Sequence, residues 1–73
     1  MIKPATDYVG QVIHYNGHDY TVSEGPEYEY CSVADTVNEL GQPTLLFLSL
    51  DDNGDIARAA TRNGPWKDVT VTV

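Results

Sequence analysis

The chain reads as a small all-β protein, an antiparallel meander barrel of SH3-like or OB-like size. Three observations predict this. Asn-Gly occurs three times, at Asn16-Gly17, Asn53-Gly54 and Asn63-Gly64, and Asn-Gly is the dipeptide that type I′ hairpin turns favour. Turn signals recur near residues 16, 25, 41, 53 and 63, so six short segments are joined by five short connections, as in small sandwiches and barrels. The segments between them are rich in Val, Ile, Thr, Tyr and Leu, the residues that suit a pleated, half-buried surface. Short connections favour antiparallel neighbours, and closure into a barrel removes the exposed edges on which small sheets aggregate.

Residues 1–8 are aperiodic and read as an N-terminal arm with Tyr8 as its anchor; residues 9–73 form the single barrel domain. The first hairpin spans Val12–Val22. A two-residue turn at Asn16-Gly17 sets Ile13 opposite Tyr20, Tyr15 opposite His18 and His14 opposite Asp19, with Ile13, Tyr15, Tyr20 and Val22 on one core face. A three-residue loop with a bulge sets His14 opposite His18 instead, and a one-residue slip exchanges core and solvent faces. Apolar matching selects the first register.

Glu24-Gly25-Pro26 breaks the chain. In Glu27-Tyr28-Glu29-Tyr30 acid and tyrosine alternate with period two, a strand signal. Residues 32–40 carry two conflicting signals. Val33, Val37 and Leu40 have helical spacing, and Ser32 with Asp35 resembles a capping box, so one short helical turn is kept open near 33–40. The β-branched Val33, Thr36 and Val37 oppose a helix, and a strand is the favoured reading. Thr44–Leu50, the most apolar run, reads as a central strand covered on both faces. Ile56–Thr61 returns after the second Asn-Gly turn. Trp66–Val73, with Val69, Val71 and Val73 alternating against polar residues, reads as one closing strand.

Seventy-three residues bury about 60% of the surface exposed by the unfolded chain, so the core is small and stability is of order 5 kcal/mol. No apolar run approaches the length of a membrane span. No secretory h-region follows Met1-Ile2-Lys3-Pro4, and the expected compartment is the cytoplasm. The single cysteine, Cys31, makes neither an internal disulfide nor a zinc site by itself.

Charge narrows the function. The net charge is −7. Residues 1–55 hold ten acids against Lys3, whereas residues 56–73 hold Arg58, Arg62 and Lys67 against Asp68. Phosphate binding needs a basic surface, so nucleic acid is the least favoured partner, supported only by the C-terminal cations and Trp66. His14, His18 and Asp19 are too few for a metal site of three or four convergent ligands. Asp51, Asn53 and Asp55 start like a calcium loop, but Ile56 stands where Gly is needed and Arg62 where Glu is needed. Cys31 lies near Glu29, which opposes thiolate formation. No catalytic motif occurs, and no enzyme activity, cofactor or metal is expected. Tyr20, Phe47 and Trp66 are expected in the core.

The expected function is protein binding by an acidic face comprising Asp19, Glu24, Glu27, Tyr28, Glu29, Tyr30 and Asp35. Alternate carboxylates on a strand lie about 6.8 Å apart, matching the advance of DNA phosphates over two nucleotides. A nucleic-acid mimic that inhibits a basic nucleic-acid-binding protein, as phage anti-CRISPR or anti-restriction proteins do, fits this spacing. The alternative is a structural subunit of a larger assembly such as a phage particle, in which the tyrosines and the terminal Val-Thr strand mediate self-association.

Overall fold

A computed structural model describes residues 2–26 and 33–73. These form a nearly closed antiparallel barrel of seven strands: β1 (Val12–Tyr15), β2 (His18–Glu24), β3 (Val33–Asn38), β4 (Pro43–Leu50), β5 (Ile56–Ala60), β6 (Lys67–Asp68) and β7 (Thr70–Thr72). Their lateral order is β6-β5-β4-β3-β2-β1-β7. The first five strands thus follow the expected meander.

The first hairpin has the two-residue register. Ile13 faces Tyr20, His14 faces Asp19 and Tyr15 faces His18. Asn16 and Gly17 have φ of 52° and 79°, the left-handed pair that a type I′ turn demands. The turn therefore decides which residues enter the core: Ile13, Tyr15 and Val22 are buried and Tyr20 is half-buried. The Tyr15 and Tyr20 rings meet edge-on, with centroids 6.2 Å apart.

Residues Val33–Asn38 are a strand, and the helical turn kept open near 33–40 is absent there. Pairing supplies the reason. Val33 through Val37 align with Phe47 through Pro43, and Tyr20 through Val22 align with Asn38 through Thr36. A two-turn helix would forfeit both ladders, and β-branched Val33, Thr36 and Val37 suit the pleat. The described residues do include one 3-10 turn, at Ala5–Asp7.

Trp66–Val73 is not one strand. Lys67 and Asp68 pair with β5, and the Val69 N–H donates to the carbonyl of Ala57 at 3.1 Å. From Thr70 the chain pairs with β1, with Val71 opposite Ile13. One C-terminal stretch thus spans both ends of the meander. The strand is interrupted at Val69, where the pairing partner changes from β5 to β1.

The core cluster is Tyr8, Ile13, Tyr15, Val22, Ala34, Leu46, Leu48, Ile56 and Ala59. Tyr8 is 1% exposed; its hydroxyl donates to the Gly54 carbonyl at 2.6 Å and accepts from the Lys3 N–H at 3.1 Å. The Tyr15 hydroxyl donates to the Pro65 carbonyl at 2.7 Å. Both large rings thus fill the apolar interior while their polar ends are satisfied. Gly25 packs against this plug: a Cβ there would lie 2.6 Å from the Ala5 carbonyl oxygen and 2.8 Å from Tyr8 Cβ.

Trp66 departs from its expected place, being 54% exposed. Tyr20 and Phe47 are only half-buried. Tyr8 and Tyr15 fill the centre instead, and a core this small has limited room for large rings. The β4 strand departs likewise. Leu46 and Leu48 are buried, but Leu45 is 43% exposed on the other face. No helix among the described residues is long and apolar enough to cross a membrane.

Candidate functional site: two outer faces of the barrel

The expected acidic face divides. Asp19, Glu24 and Asp35 lie among the described residues; Glu27, Tyr28, Glu29 and Tyr30 lie outside them. Asp19 occupies the turn end of β2 and Glu24 its far end, five residues away. At about 3.4 Å per residue this puts roughly 17 Å between them.

Asp19 is held by its own sheet. His14 Nδ1 lies 2.6 Å from Asp19 Oδ1, and His14 Nε2 lies 2.7 Å from Thr72 Oγ1. A carboxylate only accepts, so Nδ1 carries the hydrogen and, in the neutral ring, Nε2 accepts from the threonine hydroxyl. These three side chains come from β2, β1 and β7, so the chain of bonds ties the closing strand to the first hairpin. Its order of carboxylate, imidazole and hydroxyl matches that of a nucleophilic relay. Its setting does not: Asp19 and Thr72 are exposed on the outside of a sheet, whereas such a relay gains its power in a water-excluded site with oxyanion donors. Here it works as a cross-strand latch.

Beside it, His18 Nδ1 lies 2.9 Å from Glu39 Oε1, and the Asp19 N–H donates to the same oxygen at 3.3 Å. Glu39 belongs with the hairpin tip, although no periodicity or motif marks it in the sequence. The contact depends on the β3–β4 turn lying beside the β1–β2 turn, which is a tertiary fact. The two histidines therefore each meet a carboxylate rather than one another. No group of three or more His, Cys, Asp or Glu among the described residues is placed to hold a metal ion.

The Asp51–Asp55 loop is likewise occupied with its own backbone. Asp51 Oδ1 accepts the N–H groups of Asn53 and Asp55, each at 2.9 Å. The Asp55 carboxylate meets Lys3 Nζ at 2.5 Å. That hydrogen bond, followed by Coulombic attraction to Asp55, raises the Lys3 pKa above its ordinary 10.5.

Glu24 and Asp35 behave differently. Alternation alone would turn Glu24 inward, since Val22 is buried two residues earlier. A β-bulge between Val22 and Glu24 shifts the register, and Glu24 becomes the direct partner of Asp35 on β3. The extra residue of a bulge re-aims the side chains that follow it. Both acids are exposed. Neither carboxylate has a hydrogen-bond or ion-pair partner among the described residues, the Ser23 hydroxyl donating to the Asp35 backbone carbonyl instead. Like charges placed directly opposite on a sheet repel, and no Lys or Arg occurs from residue 4 to residue 57 to relieve them.

An apolar groove adjoins this pair. Asp35 shares its outer face with Val37, and their register partners on β4 are Leu45 and Pro43. Ser23, Asp35, Val37, Pro43, Thr44 and Leu45 line a shallow depression of about 360 Å³. The β3–β4 turn presents Leu40, 82% exposed, which with His18, Tyr20, Asn38 and Glu39 lines a separate depression of about 390 Å³. Asn38 stiffens that turn, its Oδ1 accepting the N–H groups of Leu40 at 3.0 Å and Gln42 at 2.9 Å. This face escaped the sequence reading because a run of Leu and Phe bounded by turns looks the same whether one face is covered or two.

On the opposite charge, Arg58 pairs with Asp68 at 3.3 Å, and Lys67 Nζ donates to Asn16 Oδ1 at 3.1 Å. Compared with protein-family models, curated proteins and solved structures, the chain matches none.

Proposed function

We propose that this chain is a small acidic protein-binding module, without catalytic activity of its own, whose partner presents a basic surface. The observation that carries this reading is the Glu24–Asp35 pair: two exposed carboxylates opposed across β2 and β3 with no counter-charge among the described residues. A sheet that keeps a repulsive pair gives up stability, and a cationic partner recovers it. The finer form of the reading is nucleic-acid mimicry toward a basic nucleic-acid-binding protein in the cytoplasm, in the manner of phage anti-CRISPR or anti-restriction inhibitors. Of the residues expected on the acidic face, Glu24, Asp35 and the acid-tyrosine run Glu27-Tyr28-Glu29-Tyr30 are assigned to it, and Asp19, engaged by His14, is assigned to the scaffold.

The test is capture of partners from host lysate on the immobilised protein, identification by mass spectrometry, and titration of the complex with salt and with duplex DNA. The expected partner is basic, its affinity falls steeply with salt, and DNA competes for it. An affinity that stays level with salt would remove the electrostatic reading; loss to salt without competition by DNA would remove only the mimicry.

A second reading, a structural subunit of an assembly, draws on the exposed Leu40 and Leu45. Its terminal strand offers less than the sequence suggested, because β7 already pairs with β1. Light scattering across concentration separates the two, since an assembly subunit self-associates. Direct nucleic-acid binding rests on exposed Trp66 beside Lys67; failure to shift DNA or RNA at low salt would dispose of it.

A further inference from the structure

We infer that the outer face of the β3–β4 hairpin is the docking surface, and that its occupant is a cationic polypeptide segment carrying an apolar anchor beside arginine or lysine. This rests on the protein-binding reading above and specifies where and by what chemistry the partner is held.

Two properties of this face coincide. The first is unpartnered apolar surface. Leu45 is 43% exposed, Pro43 is exposed and Val37 is half-buried. The register sets Val37 beside Pro43 and Asp35 beside Leu45, so Val37, Pro43 and Leu45 form one apolar stripe that runs up to Asp35. A groove of about 360 Å³ between them has room for one aliphatic or aromatic side chain but is far too open to enclose a small molecule. The second property is charge of a single sign. Asp35 lines the groove, Glu24 stands opposite it, and β2, β3 and β4 contain no Lys or Arg.

Each property excludes a class of occupant. A nucleic-acid strand would bring phosphates against Glu24 and Asp35. A purely apolar segment would leave the two carboxylates opposed and partly desolvated, which costs free energy unless they are paired. A second copy of the chain would place acid on acid, were the same face used by both copies as a two-fold dimer requires. A segment that alternates apolar and cationic residues satisfies both parts: its anchor fills the groove and its cations answer Asp35 and Glu24.

The experiment uses the full chain, labelled with nitrogen-15, and two synthetic octapeptides of equal charge, one alternating Arg and Leu, the other Arg and Ser, at low salt. The expected result is that the Arg-Leu peptide perturbs the amides of residues 35–37 and 43–45. It should bind at least about tenfold more tightly than the Arg-Ser peptide, the difference being burial of leucine. Leu45→Lys should abolish the preference for the Arg-Leu peptide. Asp35→Asn, which keeps the size of an exposed side chain, should weaken both peptides by about fivefold. The same spectra report whether each variant is folded. Equal binding of the two peptides, or perturbation centred on the Asn16-Gly17 turn, would overturn this surface while leaving the acidic-module reading standing. Binding of neither peptide would overturn both. Wild-type protein that is dimeric by light scattering, and monomeric as Leu45→Lys, would overturn it in favour of a second copy.

Discussion

The barrel carries two outer faces built by the same strand alternation but completed differently. On β7–β1–β2, Thr72, His14 and Asp19 answer one another across three strands, and Glu39 answers His18. On β2–β3–β4, Glu24 and Asp35 are opposed without a counter-charge among the described residues, and Val37, Pro43 and Leu45 line a shallow groove. The contrast separates two uses of surface polar groups. A group whose partner is supplied by the chain serves the scaffold. A pair that the chain sets against itself, next to exposed apolar surface, is the kind that the proposed partner would answer. The acidic face read from composition is therefore not uniform: Asp19 belongs to the first kind, Glu24 and Asp35 to the second.

Both faces rest on one plug, and removing it should abolish the contrast altogether. Tyr8→Ala deletes a fully buried ring and its bond to the Gly54 carbonyl. The expected loss is about 3–5 kcal/mol, comparable with the stability of a domain this small, so the variant should be largely unfolded by circular dichroism at 25 °C. A cooperative melt close to wild type would show that the arm is dispensable. Gly25→Ala should act on the same contact from the other side. Its new methyl group meets the Ala5 carbonyl and Tyr8 Cβ, an overpacking worth about 1–3 kcal/mol, read as a lower urea midpoint.

Smaller effects should have opposite signs on the two faces, which sharpens the comparison. His14→Ala removes the link between Asp19 and Thr72 and should destabilise the fold by up to about 1 kcal/mol, a fall in Tm of about 4–8 °C per kcal/mol for a domain of this size. Asp35→Asn removes like-charge repulsion and should raise stability by a few tenths of a kcal/mol, up to about 1. A destabilising Asp35→Asn would mean that its carboxylate serves the scaffold after all. The smallest effect concerns Lys3. Its folded pKa is raised above 10.5 by the hydrogen bond to Asp55, so the stabilisation is present below 10.5 and is lost as pH rises through the raised value. A Lys3→Met variant should therefore lack that alkaline component of the wild-type pH–stability curve. Identical curves would remove the pair from the account.

What was legible in the sequence was what neighbouring residues encode. Asn16-Gly17 specifies a turn, the turn specifies a register, and the register specifies the core face of Ile13, Tyr15 and Val22 together with the His14–Asp19 pair. The all-β class and the meander followed from the spacing of such turns. What was hidden depends on closure. No local pattern reveals that Val69 is a point of exchange between β5 and β1, because each half of Trp66–Val73 is good strand sequence. No local pattern reveals the bulge after Val22 that brings Glu24 against Asp35, since a bulge adds one residue without a compositional mark at this site. Trp66 was assigned to the core by size, but Tyr8, from an apparently aperiodic arm, took the interior instead.

The central claim is that the β2–β3–β4 face, and not the β7–β1–β2 face, receives the partner. Its most direct test compares Asp35→Asn with Asp19→Asn by isothermal titration with the alternating Arg-Leu octapeptide. Both substitutions remove one negative charge, so general attraction to a cation falls equally. The account predicts about a fivefold loss of affinity for Asp35→Asn and less than about twofold for Asp19→Asn. Equal losses, or a larger loss for Asp19→Asn, would contradict it.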